Sequence, residues 1–189
     1  MLLLTLGLLL FALLHLSPSL WPARRAMLCK RLGEPRYKGL FSLGVLFACA
    51  LIFAGWRASA PLPIYTPPPW GWPAAMGMLP LGIWLICSSF GPTHLRLWLR
   101  HPQLLGVLLW AMAHLLVNHE GRALLLFGTL ALWSLLTLVL ILRRNGWHSP
   151  PSRANWRADL VSLVAAILLV SGLLLGGHQW LTGMALPLH

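Results

Sequence analysis

Two histidines, His15 and His114, lie inside long apolar segments of the sequence. An ionisable side chain within a membrane-spanning helix is costly, so such a residue is a candidate for function. The three acidic residues, Glu34, Glu120 and Asp159, fall near the ends of apolar segments. This distribution argues against a carboxylate proton relay, a hard-cation site and a glycosidase- or protease-type acid–base pair. Two neutral imidazoles suit ligation of haem iron, and the alternative is a hydrogen bond to a neighbouring backbone carbonyl.

Membrane-spanning helices are the elements that must position these histidines. Only 9% of the 189 residues are charged, whereas a soluble domain has about 25%. We therefore predict one all-α integral membrane domain over residues 1–189. Apolar runs that approach the roughly 20 residues needed to cross a bilayer predict about six transmembrane helices, at 2–16, 38–56, 72–90, 102–118, 123–142 and 158–181. The first is predicted to end near Pro18 and to be followed by a basic loop.

Basic residues are confined to the loops between these segments. The loops after the first, third and fifth helices, together with Lys38 at the start of the second helix, contain twelve of the fourteen Lys and Arg residues. The positive-inside rule therefore predicts that these loops are cytoplasmic and that both termini are periplasmic. We attribute the net charge of +11 to membrane orientation and not to nucleic-acid binding, and the lipid bilayer is the predicted partner.

The two histidines end similar segments, residues 7–15 and 106–114, which both read G-x-L-L-aromatic-A-x-x-H. Residues four apart share a helix face. Three helices in each half then suggest a 3+3 inverted repeat, which we take as a hypothesis. The residues that share these two faces, and that we predict to bind a cofactor, are Gly7, Phe11, His15, Gly106, Trp110 and His114.

An inverted repeat would bring His15 and His114 toward the membrane midplane from opposite sides, because helical side chains lean toward their own N-terminus. The pair is then a clamp for one metal ion, and the two glycines leave room for a flat ligand. If the histidines are too far apart to share one iron, His101 and His178 are the next candidate ligands.

Four segments of the chain, residues 11–15, 32–43, 100–118 and 177–183, resemble the NnrU family. This family includes the plant and cyanobacterial 15-cis-zeta-carotene isomerases. The resemblance implies a membrane protein that binds haem b, with His15 and His114 as iron ligands. In the isomerase branch, the haem iron supports cis-to-trans isomerisation of a carotenoid double bond.

The plant branch has a cysteine three residues before the second histidine, where this chain has Ala111. The chain therefore resembles the bacterial branch, which is associated with denitrification, more closely. The resemblance implies a location in the bacterial cytoplasmic membrane, redox or isomerase-like chemistry, and a hydrophobic small molecule as a partner. It assigns no catalytic residue, and whether the protein is an enzyme stays open.

Two other functions compete with haem binding. The string from Arg100 to Gly106 resembles that of isoprenylcysteine carboxyl methyltransferases, which bind S-adenosylmethionine there, but residues 177–189 contain no acidic residue for a cofactor motif. The inverted repeat is also compatible with a transport or assembly factor. The interruption from Pro80 to Gly82 is the only candidate for a broken helix, and a packing kink explains it more simply.

Overall fold

The computed structural model describes residues 1–146 and 153–184, and these residues form a bundle of helices. In chain order the helices are α1 (Leu2–Leu20), α2 (Pro22–Leu32), α3 (Glu34–Ala58), α4 (Gly71–Ser88), α5 (His94–Leu99), α6 (Pro102–Val117), α7 (Gly121–Asn145), α8 (Trp156–Gly172) and α9 (His178–Thr182). A π-helical turn, Leu173–Gly177, joins α8 to α9.

Among the residues that the structure describes, five helical segments are long and apolar enough to cross a membrane: α1, α3, α4, most of α7, and the stretch Trp156–Thr182. The predicted multi-pass membrane protein is thereby confirmed. The remaining predicted span corresponds to α6, whose 16 residues extend about 24 Å at 1.5 Å per residue. A bilayer core is about 30 Å thick, so the count of six spans and the orientation of the termini stay predictions.

Pro18 lies inside α1, so the predicted end of the first helix near this residue is wrong. A proline has no N–H to donate to the carbonyl four residues earlier, here that of Leu14. The Ser17 hydroxyl donates to this carbonyl instead, at 2.9 Å. The carbonyl keeps a partner, and the helix continues to Leu20.

The basic segment after α1 is helical over Pro22–Leu32, which corrects the predicted loop. Pro22 suits the first helical position, and Ala, Arg, Lys, Met and Leu are good helix formers. None of the residues of α2 is buried. The segment therefore has no apolar face whose spacing could have predicted a helix. Gly33, with φ of 81°, then allows the sharp turn into α3.

Glycines set the closest helix contacts of the bundle. A Cβ atom at Gly7 on α1 would lie 2.7 Å from the backbone nitrogen of Ile52 on α3. A Cβ atom at Gly106 on α6 would lie 2.6 Å from the carbonyl oxygen of Gly82 on α4. Each glycine face is thus covered by a neighbouring helix, so helix packing accounts for both residues, and their part in cofactor binding stays a prediction.

Replacing Gly106 by alanine should lower the free energy of unfolding by about 1–3 kcal/mol, because the neighbouring atom is backbone and cannot rotate away. Denaturant unfolding in detergent measures the change. Gly128→Ala is the matched control, since nothing lies within 4 Å of its Cβ position, and alanine should there be neutral or stabilising. A folded Gly106→Ala protein of unchanged stability that loses its ligand would contradict the packing role.

The two halves pack differently within the described residues. α1 packs on α3, and α6 correspondingly packs on α7. The close contact of α6 with α4, however, has no comparable counterpart between α1 and α8. The inverted repeat therefore stays a hypothesis.

A polar network around Arg122 joins the ends of α3, α7 and α9. The Arg122 guanidinium donates to the Glu120 carboxylate at 2.7 Å and to the carbonyls of Trp56 and Ser59 at 3.2 and 3.1 Å. It also lies 4.4 Å from the centre of the Trp56 ring. The indole N–H of Trp56 donates to the Thr182 carbonyl at 3.1 Å. Arg122 and Glu120 are both buried. Because Trp56 bonds both to Arg122 and to Thr182, the network holds α9 against the bundle.

Candidate functional site

A cavity of about 1210 Å³ lies among α1, α3, α4, α6, α7 and the α8–α9 region. Typical ligand pockets measure about 300–1,000 Å³, so this cavity has room for a large ligand. Its wall is mostly apolar, and four of its lining residues are histidines: His15, His101, His114 and His178. None of the three acidic residues lines it, and each is instead paired with a base: Glu34 with Lys38, Glu120 with Arg122, and Asp159 with His94.

His15 is held on α1 by its own helix and by aromatic rings. Its Nδ1 donates to the carbonyl of Phe11 at 2.9 Å, and the Phe11 ring stacks on it with centroids 4.1 Å apart. Trp133 of α7 meets it edge-on, with centroids 5.3 Å apart. A carbonyl only accepts, so Nδ1 carries the hydrogen, and the neutral ring keeps a free lone pair on Nε2.

His114 on α6 has the same local arrangement. Its Nδ1 donates to the carbonyl of Trp110 at 2.8 Å, and the Trp110 ring lies 4.8 Å away between centroids. Phe127 of α7 stacks on His114, with centroids 4.2 Å apart and planes 20° apart. The aromatic residue four positions earlier thus supplies a ring and a carbonyl to each histidine, and Phe11 and Trp110 both line the cavity.

His15 and His114 pack at different levels of α7. Their partners on that helix, Trp133 and Phe127, are six residues apart, which is about 9 Å along a helix axis. Both histidines line one cavity, but these contacts do not place them face to face. Coordination of one iron by His15 and His114 together stays a prediction.

His178 lies beside His114. The ring centroids are 6.5 Å apart, and the planes differ by 21°. His178 Nδ1 lies 3.2 Å from the carbonyl oxygen of Met184, so here too Nε2 is the nitrogen left free. The sequence named His178 only as a next candidate ligand. It did not point to Trp133 and Phe127, because in the sequence they resemble ordinary apolar packing residues.

Two buried polar atoms on the cavity wall have no hydrogen-bond partner among the described residues: Trp133 Nε1 and His101 Nε2. Buried polar atoms are nearly always satisfied, so these two are available to a cavity ligand. His101 precedes α6, and burial together with the neighbouring Arg100 guanidinium lowers its pKa below the usual range. Imidazole is therefore the neutral base there at physiological pH.

Within residues 1–146 and 153–184, no group of three or more His, Cys, Asp or Glu side chains is placed to hold a metal ion. A metal bound by two of the cavity histidines therefore needs further ligands from another source. A porphyrin would supply such ligands and leave the cavity histidines to hold the metal.

The chain matches the family model described as "NnrU protein" over residues 3–186. It belongs to the NnrU family. The match runs through every helix and all four cavity histidines, so the family resemblance predicted from four short segments is confirmed for nearly the whole chain. No curated protein and no solved structure matches this NnrU-family chain.

Proposed function

We propose that this NnrU-family membrane protein binds haem b in the cavity, with His114 as an axial ligand of the iron. The observation that carries the proposal is the setting of His114, which lines the cavity with Nδ1 committed to the Trp110 carbonyl. Metal-binding histidines usually donate their other N–H to such a carbonyl, which fixes the tautomer and orients the ring. Nε2 of His114 then remains as an iron ligand.

The other residues of the wall fit a porphyrin. Phe11, Trp110 and Phe127 offer flat apolar surfaces, and the unpaired Trp133 N–H offers a hydrogen bond to a carboxylate of the haem. Two histidines can complete the coordination: His15, as predicted from the sequence, and His178, whose ring lies beside that of His114.

When bound, haem b supplies a redox-active iron, which suits redox or isomerase-like chemistry and the denitrification link of the bacterial NnrU branch. The chain's own contribution is to bind the group in an apolar, aromatic-lined cavity and to exclude water from it. The volume of the cavity leaves room for a hydrophobic small molecule that enters from the bilayer. The proposed location is the bacterial cytoplasmic membrane.

The absorption spectrum tests this proposal. Protein purified in mild detergent from haem-replete cells should show a Soret band and a haem b pyridine haemochrome. Colourless protein that develops no band when haem is added would overturn haem binding.

The contacts of the segment from Arg100 to Gly106 argue against binding of S-adenosylmethionine by that segment. Gly106, the last residue of the string that would bind S-adenosylmethionine, is buried against Gly82 of α4. Arg100, the first residue of that string, donates to the carbonyl of Gly146. We expect no heat of binding when S-adenosylmethionine is titrated into the protein in a calorimeter, and a saturable heat would favour the alternative.

A further inference from the structure

We propose that one end of the cavity binds the anionic head group of a long-chain amphiphile, a carboxylate or a phosphate, and that the apolar tail lies along the cavity. Four polar side chains at the start of α6 and just before it line this end: Arg96, Arg100, His101 and Gln103. We call these four residues the basic mouth. The proposal goes beyond haem binding and does not depend on it.

Membrane orientation alone does not explain the charge of the basic mouth. The positive-inside rule places basic residues in cytoplasmic loops, but it does not place them on the wall of a cavity. Among the described Lys and Arg residues, only Arg96 and Arg100 line the cavity. The acidic residue nearest in the fold, Asp159, is bonded to the backbone and ring of His94. The mouth is therefore a positively charged entrance to an apolar cavity, and such an entrance attracts anions.

Arg100 is held at this entrance by an uncommon backbone conformation. Its φ is 55° and its ψ is −45°, and it is the one described residue other than glycine with a positive φ. Residues in such sparsely populated conformations cluster at active sites and ligand clamps. Nη1 of Arg100 donates to the carbonyl of Gly146 at 3.0 Å, which ties the side chain to the end of α7. A guanidinium oriented in this way presents a fork of N–H groups that matches carboxylate and phosphate oxygens.

His101 and the first turn of α6 supply further hydrogen-bond donors. Nε2 of His101 is buried and has no hydrogen-bond partner among the described residues, and a neutral imidazole can carry its hydrogen on that nitrogen. No side chain caps the N-terminus of α6, where backbone N–H groups lack helical partners and the helix dipole favours an anion. Gln103 is exposed in the same turn and adds its amide. An anion here would satisfy both the imidazole and the helix end.

The cavity beyond the basic mouth is apolar and long. Its lining follows α6 over Pro102–Val117, which is about 22 Å along the helix axis. Val107 of α6 and Leu130 of α7 are among the apolar residues of this wall. His114 lies about 18 Å along α6 from Pro102, so the head-group end is separate from the proposed iron ligand. A hydrated anionic head at one end and an apolar tail along the wall match this division.

Equilibrium binding to the full-length protein in nanodiscs of phosphatidylcholine tests the proposal. Radiolabelled palmitate, hexadecyl phosphate and hexadecanol share a long tail and differ in head group, and inorganic phosphate has no tail. Empty nanodiscs give the background from partitioning into lipid. We expect saturable binding of palmitate and hexadecyl phosphate, roughly tenfold or more tighter than that of hexadecanol, because a hydrogen bond to a charged group contributes about that factor.

Arg100→Gln should weaken palmitate binding by about tenfold for the same reason. Arg96→Gln should weaken it by about two- to fivefold, since this side chain is exposed and solvent screens its charge. Because Arg96 is exposed, its variant also tests the mouth if Arg100→Gln fails to fold. Arg143→Gln is the matched control and should bind palmitate like the wild type. Arg143 is an exposed residue in the last turn of α7, close in sequence to Gly146, and it does not line the cavity.

Equal affinities for palmitate and hexadecanol would overturn the proposal, as would an Arg143→Gln protein that binds palmitate as weakly as both mouth variants. Inorganic phosphate that binds as tightly as hexadecyl phosphate would show that no tail occupies the cavity. Haem-free protein should also bind palmitate. A missing Soret band would therefore overturn haem binding and leave the amphiphile site intact.

Discussion

Replacing His114 by alanine should lower the haem content of the purified protein by roughly tenfold or more, since losing even an outer partner of a metal ligand costs about 10- to 100-fold in affinity. His114 is the iron ligand that we propose, because it is one of the two histidines named from the sequence and it lines the cavity. Alanine removes the ligand and leaves the Trp110 carbonyl within its helix. The ratio of Soret to protein absorbance, checked by pyridine haemochrome, measures the loss.

Met112→Ala is the control for this experiment, because Met112 is on the same helix with its side chain exposed. It should keep the wild-type haem content. A His114→Ala protein that elutes as a folded species and carries as much haem as Met112→Ala would remove His114 from the site. Haem titration into the folded apoprotein distinguishes lost affinity from failed insertion in the cell.

The sequence correctly paired each histidine with the aromatic residue four positions earlier, because a four-residue spacing repeats on a helix regardless of tertiary contacts. It presented ligation and a carbonyl hydrogen bond as alternatives for His15 and His114. In the structure, the carbonyl bonds to Phe11 and Trp110 use only Nδ1. The two readings are therefore compatible, since one nitrogen orients the ring and the other stays free.

Contacts between helices could not be predicted from the sequence. A glycine in an apolar helix leaves space either for a ligand or for a neighbouring helix, and the sequence alone does not distinguish the two. Gly106 faces Gly82 on α4, a pairing that no local pattern encodes. The direction of His178 was harder still to predict. The π-helical turn just before it changes the rotation of the helix, so residue spacing along α8 does not give the side of the bundle that His178 faces.

The polar network at the ends of α3, α7 and α9 should be the strongest single determinant of stability. Arg122→Ala is expected to lower the free energy of unfolding by about 3–5 kcal/mol, the usual cost of removing one partner of a buried ion pair. The variant leaves the buried Glu120 carboxylate without its cation and the carbonyls of Trp56 and Ser59 without their donor. Denaturant unfolding in detergent measures the change.

Arg57→Ala is the matched control, since Arg57 lies near the same end of α3, over the Phe53 ring, with an exposed side chain. Its effect should stay within about 0.5 kcal/mol, and an Arg122→Ala protein as stable as this control would contradict the prediction. Replacing Glu120 by glutamine in the Arg122→Ala background should recover part of the loss, because it removes the unpaired buried charge.

Arg122→Ala should affect the cavity as well as the free energy of unfolding. Arg122 packs on Trp56, and the indole of Trp56 donates to the carbonyl of Thr182, the residue that closes the loop around His178. Arg122→Ala should therefore loosen α9, which carries the cavity residue His178, and lower the amount of haem that the purified protein retains under the proposed function, although Arg122 itself does not line the cavity. A destabilised Arg122→Ala protein that retains the wild-type amount of haem would contradict this link between the polar network and the cavity.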